Sequence, residues 1–152
     1  MIGHTLVTKQ SGEAGFPCNA VYIVEKLKVA GEMYIAITLD RKLGCPTLVY
    51  TPHGGVSIEE VAAKDPGKIF KLPIRDLVNG PEPSELERAG KEDLKLTDAQ
   101  TKDFINTGIS LFKCFMEKDA DLIEINPMTV NPQGKLMALD AKITVDDNAA
   151  FR

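Results

Sequence analysis

Three polar residues near the C-terminal end of the sequence have types and spacing that suit metal chemistry. Glu124 and Asn126 lie two residues apart in the stretch 121–130, and Asp140 lies in the following stretch, 136–143. Carboxylate and amide oxygens are ligands that Mg²⁺ accepts, usually few at a time, because it keeps its other positions for water and phosphate. The three residues are therefore typical of a site for a metal-bound nucleotide phosphate.

A pair of strands must position these side chains. Because strand side chains alternate between faces, Glu124 and Asn126 share one face of the first strand, and Asp140 and Lys142 share one face of the second. One register that buries both apolar faces has a five-residue connection over 131–135, and it sets Asn126 opposite Asp140 and Glu124 opposite Lys142. Opposed Cβ atoms lie about 4.5–5.5 Å apart, so an amide and a carboxylate oxygen could share one cation.

The same hairpin has a second interpretation, in which its polar face is simply solvated. Acidic and amide side chains on a solvent-facing strand need no ligand to explain them. Spacing alone slightly favours the solvated face over the metal site.

The rest of the sequence predicts a single α+β domain, with a mostly antiparallel sheet and helices packed against it. The Ser57 and Thr97 positions have capping-box spacing and mark two helix starts. Strands are predicted over 5–9, 20–25, 33–39, 47–50 and 68–72. A short helix is predicted from 57 to about 65, and a long amphipathic helix over about 98–118. Between them, residues 79–85 are predicted to form a loop, and the stretch from there to 88 is compatible with a helix.

Composition excludes several classes of protein. A net charge of -4 over 152 residues, without a run of Lys and Arg, argues against a nucleic-acid partner. Three single cysteines without CxxC spacing are typical of an intracellular protein with reduced thiols. No apolar run is long enough for a membrane span, and residues 1–4 lack the charged and apolar regions of a targeting segment, so we expect neither a targeting segment in this chain nor a membrane partner.

The amino-acid sequence resembles one known family along nearly its whole length. The segments around the hairpin read IEINPM, LMALDAKI and DDNAAFR, and the upstream segments read LVTKQSGEAG, IVEKLKVAGEMYIAITLDR, HGGVSIEEVAAKDPGKIFKLPI and FMEKDADLIEINP. In this order they resemble the ATP-grasp domain of succinate–CoA ligase beta subunits. The resemblance implies the second subdomain of an ATP-grasp fold.

The resemblance assigns a role to each residue of the hairpin site. By it, Asn126 and Asp140 are magnesium ligands, and Glu124 is the acidic residue that meets a phosphohistidine carried by the partner alpha subunit. Glu25 corresponds to a residue at the nucleotide hinge, and Glu32 to a second acidic residue near the nucleotide.

Residues 26–31 depart most from the family pattern. Lys28 is accordingly a hypothesis for a further nucleotide contact, and the choice between ATP and GTP as substrate stays open.

The implied reaction of the intact protein is reversible acid–CoA ligation. Succinyl-CoA, phosphate and a nucleoside diphosphate would give succinate, CoA and a nucleoside triphosphate through the phosphohistidine of the alpha subunit, with Mg²⁺ as cofactor. Two alternatives remain: the matching segment of a malate–CoA ligase or ATP-citrate lyase, and a non-catalytic metal-binding module. The wording near residues 1–15 favours the mitochondrial matrix, with the cytoplasm as the alternative compartment.

The resemblance also predicts that parts of the family architecture lie outside this sequence. It begins after the first ATP-grasp subdomain and ends before the C-terminal ligase domain, and no GxGxxG or GxxxxGK pattern occurs in the 152 residues. We therefore expect a single-domain fragment, residues 1–152, that binds Mg-ATP weakly and is inactive alone.

Overall fold

A six-stranded sheet forms the centre of the computed structural model, which describes residues 1–8, 11–26 and 28–151. Its strands are β3 (Glu32–Asp40), β4 (Cys45–Thr51), β5 (Phe70–Pro73), β6 (Ala120–Val130), β7 (Leu136–Ala138) and β8 (Ala141–Val145). All strand pairs are antiparallel, in the order β5-β4-β3-β6, and β7 and β8 both pair with β6. The predicted α+β class with a mostly antiparallel sheet is confirmed.

The described residues form three α-helices, of which the first and the third begin at the predicted capping positions, whereas the second begins inside the loop predicted over 79–85. They are α1 (Ile58–Lys64), α2 (Pro83–Arg88) and α3 (Asp98–Glu117). The Ser57 hydroxyl accepts the Glu60 N–H at the start of α1. At the start of α3, Thr97 and Gln100 form a reciprocal capping box, which satisfies two backbone donors that the helix itself leaves without partners.

The hydrophobic core lies between the sheet and the helices α2 and α3. Ile35, Ile37 and Leu48 from the sheet are 0% exposed, as are Leu86 of α2 and Phe104 of α3. Burial of each such side chain contributes roughly 1.5–3 kcal/mol relative to leaving it exposed. The core holds β3 and β6 together and so fixes the strands that carry the polar hairpin.

A separate N-terminal pair of short strands precedes the sheet. It consists of β1 (Thr5–Leu6) and β2 (Phe16–Pro17), so the strand predicted over 5–9 is confirmed only for its first residues, and Lys9 lies outside the described residues.

The strand predicted over 20–25 is wrong. This stretch is irregular, with Tyr22 93% and Ile23 86% exposed. Apolar content favours a strand only where a neighbouring strand satisfies its backbone groups, and no described strand pairs with this stretch.

The other predicted elements are present with shifted ends. The strand expected from 68 starts at Phe70, because Pro66–Lys68 form a 3₁₀ turn. The stretch ending at Arg88 is helical, and a π-helical turn, Ala89–Asp93, follows it. Within the described part of the chain, no helix has the length and apolar content to cross a membrane.

Candidate metal centre on the C-terminal hairpin

The hairpin of β6 with β7 and β8 has the predicted register. Glu124 pairs with Lys142, and the Asn126 N–H donates to the Asp140 carbonyl at 3.2 Å. The connection between the last pair, Val130 with Leu136, has the expected five residues, 131–135. The two predicted metal ligands are therefore opposite each other, although Asp140 lies in a break between β7 and β8, so the second strand predicted over 136–143 is interrupted.

The Asn126 side chain links the hairpin to the loop before α1. Its Oδ1 accepts the Gly55 N–H at 2.9 Å, and its Nδ2 donates to the Val56 carbonyl at 3.0 Å. These two partners fix which end of the amide is the oxygen, since one is a donor and the other an acceptor. An amide oxygen has two lone pairs, so Oδ1 keeps one for a cation.

Asp140 supplies the carboxylate of the pair. Its side chain is exposed, and its Oδ1 accepts the Ala141 N–H at 2.9 Å. Among residues 1–8, 11–26 and 28–151, no three His, Cys, Asp or Glu side chains cluster so that they could hold a metal ion. One carboxylate and one amide oxygen fit Mg²⁺, which is often bound by few protein ligands with water and phosphate completing its shell.

Glu124 is held by a residue that sequence reasoning missed. Its Oε2 accepts a hydrogen bond from the Tyr34 hydroxyl at 3.2 Å, and Tyr34 is only 4% exposed. Burial, followed by the neighbouring Glu124 carboxylate, raises the pKa of Tyr34 well above the ordinary value for tyrosine. The phenol therefore stays protonated and acts as a donor at neutral pH.

Glu32 lies beside the loop that Asn126 holds. Its carbonyl accepts the Gly54 N–H at 2.8 Å, and its carboxyl group lies so close to Gly55 that a Cβ there would be 3.0 Å from its Cδ. Glu32 of β3 and Asn126 of β6 thus both contact the loop 54–56.

The structure does not bring Glu25 and Lys28 to the hairpin carboxylates. Both are exposed in an irregular stretch, and in the described chain no hydrogen bond or ion pair joins either to β6 or β8. The described residues at the end of this stretch contact β6, where the Ala30 N–H donates to the Val130 carbonyl at 3.2 Å and the Gly31 carbonyl accepts the Thr129 hydroxyl at 2.6 Å.

Comparison with known proteins gives the family. A sequence model described as the ATP-grasp domain matches residues 1–130. The chain is 43% identical over 152 residues to the hydrogenosomal succinate–CoA ligase [ADP-forming] subunit beta of Neocallimastix frontalis, and 42% identical over 158 residues to the mitochondrial one of Dictyostelium discoideum. In both cases all of the chain is matched, but it spans only 34% of the relative's length.

Solved structures give the same fold. ATP citrate lyase from Methanothrix soehngenii, in complex with citrate and coenzyme A, superposes with a TM-score of 0.59 at 17% identity, over 82% of this chain and 26% of that one. The apo form of dinucleotide forming acetyl-coenzyme A synthetase 1 from Ca. Korarchaeum cryptofilum superposes with a TM-score of 0.59 at 20% identity, over 80% of this chain and 57% of that one. The chain therefore belongs to the ATP-grasp domain family, and its whole length is homologous to a segment of succinate–CoA ligase beta subunits.

Proposed function

We propose that this chain is the nucleotide- and magnesium-binding part of a succinate–CoA ligase beta subunit, and that it forms the second ATP-grasp subdomain as one domain. The supporting observation is the position of Asn126 opposite Asp140, with Glu124 on the same strand face. In the complete enzyme, succinyl-CoA, phosphate and nucleoside diphosphate would be interconverted with succinate, CoA and nucleoside triphosphate.

The hairpin would bind the magnesium ion used in this reaction. Asn126 Oδ1 and the Asp140 carboxylate would hold Mg²⁺, which offsets the negative charge of nucleotide phosphates when bound. Glu124 would accept the N–H of a phosphorylated histidine from the alpha subunit and so orient its imidazole ring.

The nucleotide itself would lie along the exposed stretch that leads into β3. The carboxylates of Glu25 and Glu32 are acceptors for an amino group or ribose hydroxyls, and Lys28 is a donor for phosphate. We propose ATP as the nucleoside triphosphate, because the names of the relatives at 42–43% identity describe them as ADP-forming.

The alpha subunit of the ligase is the proposed protein partner, since these relatives are named as beta subunits. We propose the mitochondrial matrix as the compartment, because the Dictyostelium discoideum relative is named mitochondrial. The cytoplasm is the alternative, because a relative from Syntrophotalea carbinolica, 41% identical over 154 residues, carries no organelle in its name.

We further propose that this chain alone binds Mg-ATP weakly and turns over no substrate. Tight binding of a polyphosphate depends on several basic side chains and backbone N–H donors, and the sequence contains neither a GxGxxG nor a GxxxxGK loop. Calorimetry with Mg-ATP should give a dissociation constant in the millimolar range, whereas micromolar binding or CoA-dependent turnover by the chain alone would contradict the proposal.

The test of the proposed function is activity of the complete beta subunit with its alpha partner. We expect Mg²⁺-dependent ATP formation from succinyl-CoA, ADP and phosphate, and loss of phosphohistidine turnover in the variant Glu124→Gln. Preference for malate or citrate over succinate would instead support a related ligase or lyase, and the solved lyase structure shares only the fold. Full activity of Glu124→Gln would exclude the proposed role of Glu124.

A further inference from the structure

We propose that Tyr34 is a positioning residue, which orients the Glu124 carboxylate by a partly buried hydrogen bond to Oε2 and leaves Oε1 as the oxygen without a hydrogen bond, available to an incoming ligand. The catalytic part of this inference rests on the proposed function of Glu124, but the hydrogen bond can be tested without it.

A distortion in the β3–β6 pairing places the phenol. Met33 pairs with Met128, whereas Ile35 pairs with Ile125, so the register shifts around Tyr34. Bulges of this kind re-aim a side chain, and they occur often beside functional sites. Tyr34 thereby reaches the face of β6 that carries Glu124, although its ring is buried.

The hydrogen bond restricts Glu124 in two ways. It restrains the rotation of the carboxylate, because Oε2 accepts from the Tyr34 hydroxyl at 3.2 Å. It also leaves Oε1 as the oxygen that makes no hydrogen bond in the described part of the chain. A carboxylate with one oxygen held by a hydrogen bond presents its other oxygen in a restricted direction, which suits an incoming N–H.

A second buried tyrosine provides a matched comparison. Tyr50 is 2% exposed and its hydroxyl donates to Asp93 Oδ2 at 2.7 Å, within a different part of the protein. Both residues satisfy a buried phenol with a carboxylate, and both have raised pKa values, mainly because of burial. They differ in the acceptor, since only Tyr34 contacts a residue of the hairpin site.

The hydrogen bond is tested by carbon-13 NMR of the Glu124 side-chain carboxyl in this 152-residue chain. We compare Tyr34→Phe with Tyr50→Phe at pH 7, where each variant loses one buried hydroxyl. The expected result is a shift of the Glu124 signal in Tyr34→Phe and none in Tyr50→Phe. An unchanged signal in Tyr34→Phe, or an equal change in both variants, would overturn the positioning role, whatever Glu124 does in the enzyme.

The catalytic consequence is tested in the complete ligase with its alpha partner. Because Glu124 would no longer be oriented toward the reacting group, we expect kcat of Tyr34→Phe to fall about 10-fold or more, with KM for Mg-ADP changed less than about twofold. Tyr50→Phe should keep its kcat. A normal kcat in Tyr34→Phe, or an equal fall in kcat in both variants, would overturn the inference. The Glu124→Gln measurement above separates that failure from failure of the proposed function.

Discussion

At the scale of single residues, Asn126 has a structural and a proposed metal-binding role, and the two can be separated. Asn126→Ala removes both hydrogen bonds to the loop at Gly55 and Val56, so we expect the free energy of unfolding to fall by about 1–3 kcal/mol in urea denaturation. Asp140→Ala should change it by less than about 0.5 kcal/mol, because Asp140 is exposed. Equal stability of the wild type and Asn126→Ala would show that the loop contacts contribute nothing.

The residues of the site were predictable to different degrees. The pairs Asn126 with Asp140 and Glu124 with Lys142 follow from strand alternation and turn length, which are local properties of one hairpin. The contact between Tyr34 and Glu124 joins residues 90 positions apart. It depends on β3 becoming the other neighbour of β6, and on a bulge, neither of which the alternation pattern specifies.

At the scale of elements, the loop before α1 depends on the absence of a side chain at Gly54. A Cβ there would lie 2.6 Å from the Met33 carbonyl carbon, which is closer than real Cβ contacts. We therefore expect Gly54→Ala to destabilise the fold by about 1–3 kcal/mol in thermal unfolding.

Gly67→Ala is the matched control for this substitution. Its nearest contact would be Asp65 Oδ1 at 3.7 Å, an ordinary distance, so its stability should change by less than about 0.5 kcal/mol. Similar unfolding temperatures for the two variants would contradict the close packing of the loop on β3.

The starts of α1 and α3 were predictable from sequence, whereas the absence of a strand at 20–25 was not. Caps such as Thr97 with Gln100 act within four residues, so their spacing marks the helix start. The stretch 20–25 has strand-forming residues, but strand formation depends on a partner, and its apolar side chains are exposed in this chain.

For the whole molecule, we expect the free energy of unfolding to decrease at alkaline pH because of the two buried tyrosines, Tyr34 and Tyr50. Their pKa values in the folded state are raised by burial and by neighbouring carboxylates, whereas tyrosine in an unfolded chain ionises near pH 10. Above about pH 10 the unfolded state therefore loses protons first, and the stabilisation that is complete below this pH declines.

The double variant Tyr34→Phe with Tyr50→Phe tests this dependence. Urea denaturation at pH 8 and pH 10.5 should show a larger loss of stability for the wild type than for the double variant, which has no buried phenol at these positions. Parallel losses in both proteins would contradict it.

We propose that Asn126 and Asp140 hold the magnesium of a nucleotide site. The most direct measurement is a Mg²⁺ titration of ATP formation by the complete ligase carrying Asp140→Ala, with Asp121→Ala as the control at another exposed aspartate of the hairpin. We predict that Asp140→Ala raises the Mg²⁺ concentration for half-maximal activity about 10-fold or more, while Asp121→Ala leaves it unchanged. Wild-type magnesium dependence in Asp140→Ala would show that Asp140 is not a ligand of the magnesium.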